Sequence, residues 1–252
     1  MQSEDPSGLV ARLNAFFAGH ARLLRRPPVD VQLHKVSESA EHTDVHLHKS
    51  TESERLGVLA RDPDWTAPTV ELAWSERSFA SLQKEWQAGG RPRVLSAGGV
   101  VTGKGALWLD RRSARVQHYA GRLHSFGGAF TPSDRDLATT MRREVAEECG
   151  VIVPVAEAHP LLLAEELTTG YVQAIYLGVR AFSAPRGSEE GDVVIVRQDE
   201  IGKLLDDERA WVPSGMLHVL VWLAGDPPGW SGPRLVEERL SRPPVFTTPD
   251  AR

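Results

Sequence analysis

The feature that most constrains this chain is the segment of residues 126–151, which combines a glycine turn with one amphipathic helix. Leu137, Met141 and Val145 recur every four residues and form the apolar stripe expected of a helix that packs on a core. Gly150 follows the last turn, where glycine commonly ends a helix. The segment therefore predicts a helix of about four turns with one buried face.

The start of this helix is indicated by polar residues that follow the turn at Gly127 and Gly128. Ser133 and Asp136 stand three residues apart, a spacing typical of a capped helix start, with Asp in the place usually taken by Glu. We therefore expect the helix to begin near Asp134.

Three glutamates, Glu144, Glu147 and Glu148, occupy positions i, i+3 and i+4 of this helix. They fall within an arc of roughly 100° and rise about 6 Å, so their carboxylates converge on a small volume. Carboxylate oxygens at this density suit Mg²⁺ or Mn²⁺, ions that also coordinate phosphate oxygens and lower the pKa of an attacking water. The alternative is a solvated acidic face paired with Arg142 and Arg143.

The ordered combination of glycine turn, helix and glutamates resembles the Nudix box, G-x5-E-x7-R-E-U-x-E-E-x-G-U, in which U is aliphatic. Residues 143–151 match every fixed position of its second half, and Gly128 corresponds to its first glycine. The three predicted metal ligands lie in the matching half. The resemblance extends over roughly residues 94–225 in the order of strands and helices.

The first half of the box departs from the family in three ways. The stretch between the glycine and the arginine is one residue longer, Arg135 stands where the family has glutamate, and Phe126 replaces a common proline. Asp134 and Asp136 flank Arg135, and either of them could take over the helix-start role of that glutamate.

The resemblance implies an α+β fold, a Nudix-like α/β/α sandwich with a mixed β-sheet, and hydrolysis of a nucleoside diphosphate linked to another moiety. It implies that Glu144, Glu147 and Glu148 bind Mg²⁺ or Mn²⁺ and that Arg143 orients Glu144. The expected catalytic residues are Glu144, Arg143 and Glu148. The expected substrate contacts come from the turn before the helix: Phe126, Gly127 and Gly128.

The general base is left open by the resemblance, because the family uses either a box glutamate or a carboxylate from a later loop. The candidates in this chain are Glu144, the pair Glu165 and Glu166, and the pair Glu189 and Glu190. Geometry has to decide among them before pKa does.

Three short segments show a weak similarity to the Nudix hydrolases that act on UDP-glucose and UDP-galactose. They are SERSFASLQKEW from Ser75, WLDRRS from Trp108 and LLLAEEL from Leu161. Four aromatic residues are candidates to stack on a base or sugar, with core packing as the alternative: Phe126, Phe130, Tyr171 and Trp211. His118 and His124 flank the glycine turn and are candidates to meet phosphate.

Two other functions compete with hydrolysis of a nucleotide sugar. One keeps the chemistry and changes the substrate to ADP-ribose, a dinucleotide or a nucleoside triphosphate. The other is a sensor domain that binds nucleotides without turning them over, which Arg135 and the longer loop favour and the three box glutamates oppose.

Composition excludes several further classes of protein. With 29 Lys and Arg against 34 Asp and Glu, the 252-residue chain has a formal net charge of -5 and lacks the basic character of proteins that bind long nucleic acid. Cys149 is the one cysteine, which excludes an intramolecular disulfide and a Cys-rich zinc module. The sequence has no apolar stretch of about 20 residues. We expect a cytoplasmic protein that binds a small phosphorylated nucleotide, with a homodimer as an option.

The chain is predicted to divide into three parts: an N-terminal extension or small α+β subdomain (1–92), a Nudix hydrolase domain (93–225) and a Pro-rich, extended tail (226–252). Within the extension, a helix is expected over residues 8–26, strands from Val31 and from Val45, and a short helix from near Ser75. A lid, a dimer surface and an independent domain remain open as roles for residues 1–92.

Overall fold

The structure is a computed structural model that describes residues 6–36, 54–114, 116, 118–154, 159–187 and 191–246. The described residues form six α-helices: α1 (Pro6–Phe16), α2 (Phe79–Gln87), α3 (Leu137–Cys149), α4 (Ile201–Asp206), α5 (Pro213–Ala224) and α6 (Gly232–Leu240). They also form eleven β-strands: β1 (Ala21–Arg25), β2 (Asp30–Lys35), β3 (Arg55–Leu59), β4 (Thr69–Ser78), β5 (Leu95–Gly103), β6 (Ala106–Arg112), β7 (Leu123–His124), β8 (Phe126–Ala129), β9 (Leu161–Glu166), β10 (Val172–Arg180) and β11 (Gly191–Arg197).

Eight of these strands form one mixed sheet. Its order is β1-β9-β10-β5-β6-β11, with β7 paired to β6 and β8 paired to β5. β10 and β5 run parallel and the other pairs are antiparallel. A second sheet of three strands has the order β2-β4-β3.

The large sheet lies between two packed layers. Side chains alternate along its strands, as on β5, where Val100 belongs to one hydrophobic cluster and Val101 to the other. The first cluster contains residues of α1, α4, α5 and α6, and the second contains residues of α3 and the three-stranded sheet. The predicted α+β fold, with a mixed sheet between helical layers, is confirmed.

The helix predicted from the glycine and glutamate pattern is α3. Its expected stripe is buried, since Leu137, Met141 and Val145 are each at most 4% exposed. The helix ends at Gly150, which has a φ of 70° and donates its N–H to the carbonyl of Ala146. The burial of this stripe fixes which face of α3 carries the glutamates.

The capping of α3 differs from the prediction. Asp136, not Ser133, is the N-cap, and its carboxylate accepts a hydrogen bond of 2.6 Å from the N–H of Thr139. Ser133 instead shares a hydrogen bond with the hydroxyl of Thr131, so it is part of the turn before the helix.

The predicted N-terminal helix over residues 8–26 is wrong beyond its first half. α1 ends at Phe16, Gly19 has a φ of 80°, and residues 21–25 form β1 against β9. The alternating burial of β1 in the sheet overrides a helix-like spacing of leucines. The short helix expected from near Ser75 begins at Phe79, because residues up to Ser78 extend β4.

The tail predicted to be extended contains α6. Pro233 lies in its first turn, where proline is tolerated, and Leu235 and Val236 are buried with α5 in the first cluster. The second strand expected from Val45 lies outside the described residues. The division at residues 92 and 225 stays a prediction, although β1 and α6 both pack across those boundaries. No helix in the described part of the chain is both long and apolar enough to cross a membrane.

Candidate active site

A cavity of about 280 Å³ is lined by residues of β5, β8, β10, α2 and α3. Its walls are of three kinds. The first is the glycine strand β8 with the carboxylate of Glu148, the second is a group of aromatic rings, and the third is a set of buried polar side chains.

The glycines of β8 permit two close approaches. Gly127 has a φ of 152°, and a Cβ added there would lie 2.6 Å from the Cα of Gly98 on β5. A Cβ added to Gly128 would lie 2.5 Å from the carboxylate of Glu144. Gly127 therefore lets β8 pack tightly on β5, and Gly128 leaves space for the carboxylate of Glu144 where it lies.

Two of the three box glutamates reach this strand. Glu144 is buried against Gly128. Glu148 lines the cavity, and its Oε2 accepts a hydrogen bond of 2.7 Å from the N–H of Gly127. The Glu147 side chain is 60% exposed. The structure thus brings Glu144 and Glu148 to the predicted substrate-contacting strand and leaves Glu147 at the surface.

Arg143 connects the glutamates to the loop before α3. Its Nη1 donates to Glu144 at 2.7 Å and to Glu147 at 3.2 Å, and its Nη2 donates to the carbonyl of Ala129 at 3.0 Å. It also pairs with Asp134 through Nε and Nη2. Partial burial alone would lower the pKa of Arg143, but the carboxylates of Asp134 and Glu144 raise it above its usual value. The predicted orienting contact between Arg143 and Glu144 is present in this geometry.

The sequence left open whether Asp134 or Asp136 takes the helix-start role, and in the structure these two residues have different partners. Asp134 holds Arg143, while Asp136 caps α3. Burial alone would raise the pKa of Asp134, but hydrogen bonds from Arg143 and from the N–H of Thr131 lower it below its usual value. Arg135 is exposed between the two carboxylates. Asp134, which lies in the loop before α3, is therefore an ionised partner of Arg143.

The donor chemistry of α3 fits a hard divalent cation, since its three glutamates offer oxygen ligands on one helix face. As placed, however, no three His, Cys, Asp or Glu side chains among the described residues are grouped as metal ligands. Arg143 bridges Glu144 and Glu147, and the Gly127 N–H holds Glu148. Metal binding at these residues is therefore a proposal.

The structure separates the candidates for general base. Glu165 pairs with Arg22 and Arg93 and does not line the cavity. Glu166 lines the cavity, and it accepts hydrogen bonds from Thr168 at 2.6 Å and from the hydroxyl of Tyr119 at 3.3 Å. Burial raises the pKa of Glu166. The pair Glu189 and Glu190 lies outside the described residues.

The two predicted histidines both line the cavity. Burial, and then the charge of Arg112, lower the pKa of His124 to about 3 and shift that of His118 downward. His124 contacts Ser214 through Nε2 at 3.2 Å. At neutral pH His124 is therefore uncharged and acts as a hydrogen-bonding group rather than a cation.

Of the four aromatic residues proposed to stack on a substrate, the structure places Tyr171 at the cavity. The other three are at most 1% exposed and pack in the hydrophobic clusters: Phe126, Phe130 and Trp211. The predicted substrate contact of the Phe126 side chain is wrong, because that side chain is buried in the core, whereas the residues of β8 that follow it, Gly127 to Ala129, line the cavity.

The aromatic partners of Tyr171 were not predicted from the sequence. Trp86 lies nearly parallel to Tyr171 with ring centroids 6.0 Å apart, and Phe79 meets Trp86 edge-on. Both residues of α2 line the cavity. Their separation of seven residues, which puts them on one helix face, is the signal that could have grouped them.

No family model matches the chain, and a search of curated proteins finds no match. Solved structures match parts of it. A bifunctional NMN adenylyltransferase/ADP ribose pyrophosphatase from Francisella tularensis, complexed with AMP and a Mn ion, is 14% identical with a TM-score of 0.45. That match covers 58% of this chain and 46% of the other, so the chain spans less than half of that protein.

Two further solved structures cover about half of this chain. A MutT protein from Methanosarcina mazei Go1 is 22% identical with a TM-score of 0.41, covering 50% of this chain and 91% of its own. An Ap4A hydrolase from C. elegans is 18% identical with a TM-score of 0.38, covering 52% and 98%. None of these three proteins is named for a UDP-sugar.

Proposed function

We propose that this chain is a divalent-metal-dependent hydrolase of the Nudix type, which cleaves the pyrophosphate bond of a nucleoside diphosphate linked to another moiety. The observation that carries the proposal is the convergence of Glu144 and Glu148 on the strand Gly127–Gly128, beside a cavity that aromatic rings also line. Carboxylates next to a glycine strand can lie beside a bound phosphate only if a cation offsets their negative charge.

The residues that would hold Mg²⁺ or Mn²⁺ are Glu144, Glu147 and Glu148. When bound, such an ion neutralises phosphate oxygens and lowers the pKa of a water. Arg143 positions Glu144 and Glu147 through its hydrogen bonds, and Asp134 holds Arg143 in turn. Arg112 lines the cavity and offers a fixed positive charge to the substrate's phosphates.

In the reaction, the oxygen of a water forms a bond to one phosphorus while the bond from that phosphorus to the bridging oxygen breaks. A carboxylate takes the proton of the water. Glu148 and Glu166 are the predicted acidic groups that line the cavity, and burial raises the pKa of Glu166, which makes its ionised form a stronger proton acceptor. The products are a nucleoside monophosphate and a phosphorylated remainder.

The substrate we propose is a nucleotide sugar of the UDP-glucose type. Each of the three segments that resemble the UDP-sugar enzymes contributes to the cavity wall: Trp86 from the first, Arg112 from the second and Glu166 from the third. The test is to incubate the protein and Mg²⁺ or Mn²⁺ with a panel of UDP-glucose, UDP-galactose, ADP-ribose, a diadenosine polyphosphate and nucleoside triphosphates. The rate at which nucleoside monophosphate is released is measured for each compound. Cleavage of ADP-ribose with UDP-sugars untouched would contradict the sugar assignment and leave the hydrolase intact.

A second candidate is a sensor that binds nucleotides without hydrolysing them. The observation that favours it is the engagement of Glu144 and Glu147 by Arg143, which leaves no grouped set of three ligands among the described residues. Equilibrium binding of the same panel separates the two functions. Tight binding of one compound, with no product after prolonged incubation in either metal, would establish the sensor.

We carry three further expectations as proposals. The protein acts in the cytoplasm, it does not bind long nucleic acid, and a homodimer is an option for its assembly. Light scattering at several concentrations tests the last of these.

A further inference from the structure

Two buried polar atoms in the cavity wall have no hydrogen-bond partner: the Thr169 Oγ1 and the Gln173 Oε1. Their residues are 6% and 7% exposed, and both line the cavity. Buried polar groups in folded proteins are almost always paired, because an unpaired one has lost its solvation without compensation. These two atoms are therefore candidates to meet a ligand.

The two atoms lie beside the aromatic rings. Thr169, Tyr171 and Gln173 all line the cavity: Gln173 lies on β10, Tyr171 directly precedes that strand and Thr169 lies in the turn after β9. The carbonyl of Thr169 accepts a hydrogen bond of 2.8 Å from the indole Nε1 of Trp86. The backbone of Thr169 thus holds the Trp86 ring while its hydroxyl stays unpaired.

This part of the cavity is separate from the carboxylates of α3, whereas Glu166 of β9 lies beside it and its N–H donates to the carbonyl of Tyr171. Gln173 pairs in register with Ser96 of β5, and Ser96 pairs with Ala129 at the end of β8. Two strand spacings, about 10 Å in all, therefore separate Gln173 from the glycine strand. A ligand that spans both ends presents one group to the glutamates and another to the rings.

The chemistry at the ring end selects the kind of group. The unpaired Gln173 Oε1 can only accept a hydrogen bond, so it does not suit a phosphate or an ionised carboxylate. Flat aromatic faces favour a planar group, and an amide oxygen without a donor requires an N–H or O–H from the ligand. A nucleobase meets all three conditions, because its edge carries N–H donors next to acceptors and its face stacks on Trp86 or Tyr171.

We propose that Gln173 and Thr169 form the base-reading subsite of this protein, with Trp86 and Tyr171 as its stacking platform. The inference rests on the function proposed above and adds to it a site that sets which nucleoside is accepted. The amide of Gln173 pairs with the edge of the base, and the hydroxyl of Thr169 supplies one further hydrogen bond. The diphosphate then lies toward Gly127 and Gly128.

The test is equilibrium binding of the four ribonucleoside 5′-monophosphates and of ribose 5-phosphate, followed by tryptophan fluorescence or calorimetry. We expect the wild-type protein to bind one monophosphate at least about tenfold more tightly than ribose 5-phosphate. Gln173→Leu should weaken that monophosphate about tenfold or more and reduce the spread among the four bases, with ribose 5-phosphate unchanged. Thr169→Val should act in the same direction with a smaller effect.

The matched control is Gln32→Leu, which makes the same change at an exposed glutamine of β2 and should alter none of the affinities. The proposal is overturned if Gln173→Leu, still folded by thermal melting, and Thr169→Val both leave the base preference intact. Equal weakening of ribose 5-phosphate by Gln173→Leu would also overturn it, because the amide would then read the sugar. Monophosphates are not hydrolysed, so a base-selective protein without pyrophosphatase activity would keep this subsite and contradict only the proposed reaction.

Discussion

Asp134 pairs with Arg143 through two hydrogen bonds, from Nη2 at 2.9 Å and from Nε at 3.2 Å. The Asp134 side chain is 4% exposed and also accepts from Thr140 at 3.0 Å. Arg143 in turn contacts two of the glutamates of α3. A carboxylate in the loop before α3 thereby holds the arginine that contacts Glu144 and Glu147.

Asp134→Asn should destabilise the protein, because the partly buried guanidinium of Arg143 would lose one of its charged partners. We expect a loss of about 1 to 3 kcal/mol in the free energy of unfolding, measured by urea denaturation at pH 7. Asp136→Asn is the matched control, and it should be nearly neutral since asparagine caps helices as well as aspartate does. Equal effects of the two changes would contradict the division of roles.

Gly128→Ala should move the carboxylate of Glu144, because the new Cβ would lie 2.5 Å from it. The flexible end of a side chain can shift, so we expect the fold to persist and the metal-dependent activity to fall at least about tenfold. The control is Gly8→Ala, at a position of α1 with no atom within 4 Å of the new Cβ. Activity assays and thermal melting of both variants check this, and full activity of Gly128→Ala would show that Glu144 is not needed where it lies.

The local pattern of residues 126–151 predicted α3, its buried stripe and its glycine end, because each depends on residues close in sequence. The end of α1 at Phe16 could not be predicted in the same way, since residues 21–25 follow the pairing offered by β9. The direction of the Phe126 side chain was also mistaken. It depends on the register between β8 and β5, which no local spacing reveals.

Local sequence patterns also predict only part of the cavity wall. Glu148, Gly127 and Gly128 could be assigned from the box, and Glu166 was one of several candidates. Gln173 carries no sequence signal at all. Its importance comes from burial without a partner, and that property exists only once β10 lies between β9 and β5.

The stability of the protein should fall on acidification because His124 is buried in its neutral form. Its folded pKa of about 3 lies below the unfolded value of about 6.5, so the unfolded state binds the proton first and the contribution is lost as the pH falls toward 3. Urea denaturation at pH 7 and pH 5 should show a drop in the free energy of unfolding that is roughly 1 to 2 kcal/mol smaller in His124→Asn. An identical drop in that variant would mean that His124 titrates normally.

Glu166→Gln should reduce the activity and remove the acid limb of the pH–rate profile if Glu166 takes the proton of the water. The base must be ionised, so activity falls as the pH falls through its pKa, which burial raises above the usual value. Glu165→Gln makes the same change at the neighbouring residue, which does not line the cavity, and should leave the profile unchanged. If Glu166→Gln leaves the pH–rate profile unaltered, a glutamate of α3 accepts the proton of the water instead.

The central claim is that carboxylates of α3 support a metal-dependent cleavage of pyrophosphate. Its most direct test is the rate of nucleoside monophosphate release from the best substrate of the panel, with Mg²⁺ or Mn²⁺ and with EDTA, for three proteins: the wild type, Glu148→Gln and, as an exposed control on α6, Glu238→Gln. The account predicts release that requires the metal, falls at least about 100-fold in Glu148→Gln and is unchanged in Glu238→Gln. Release that persists in EDTA, or that Glu148→Gln leaves intact, would contradict it.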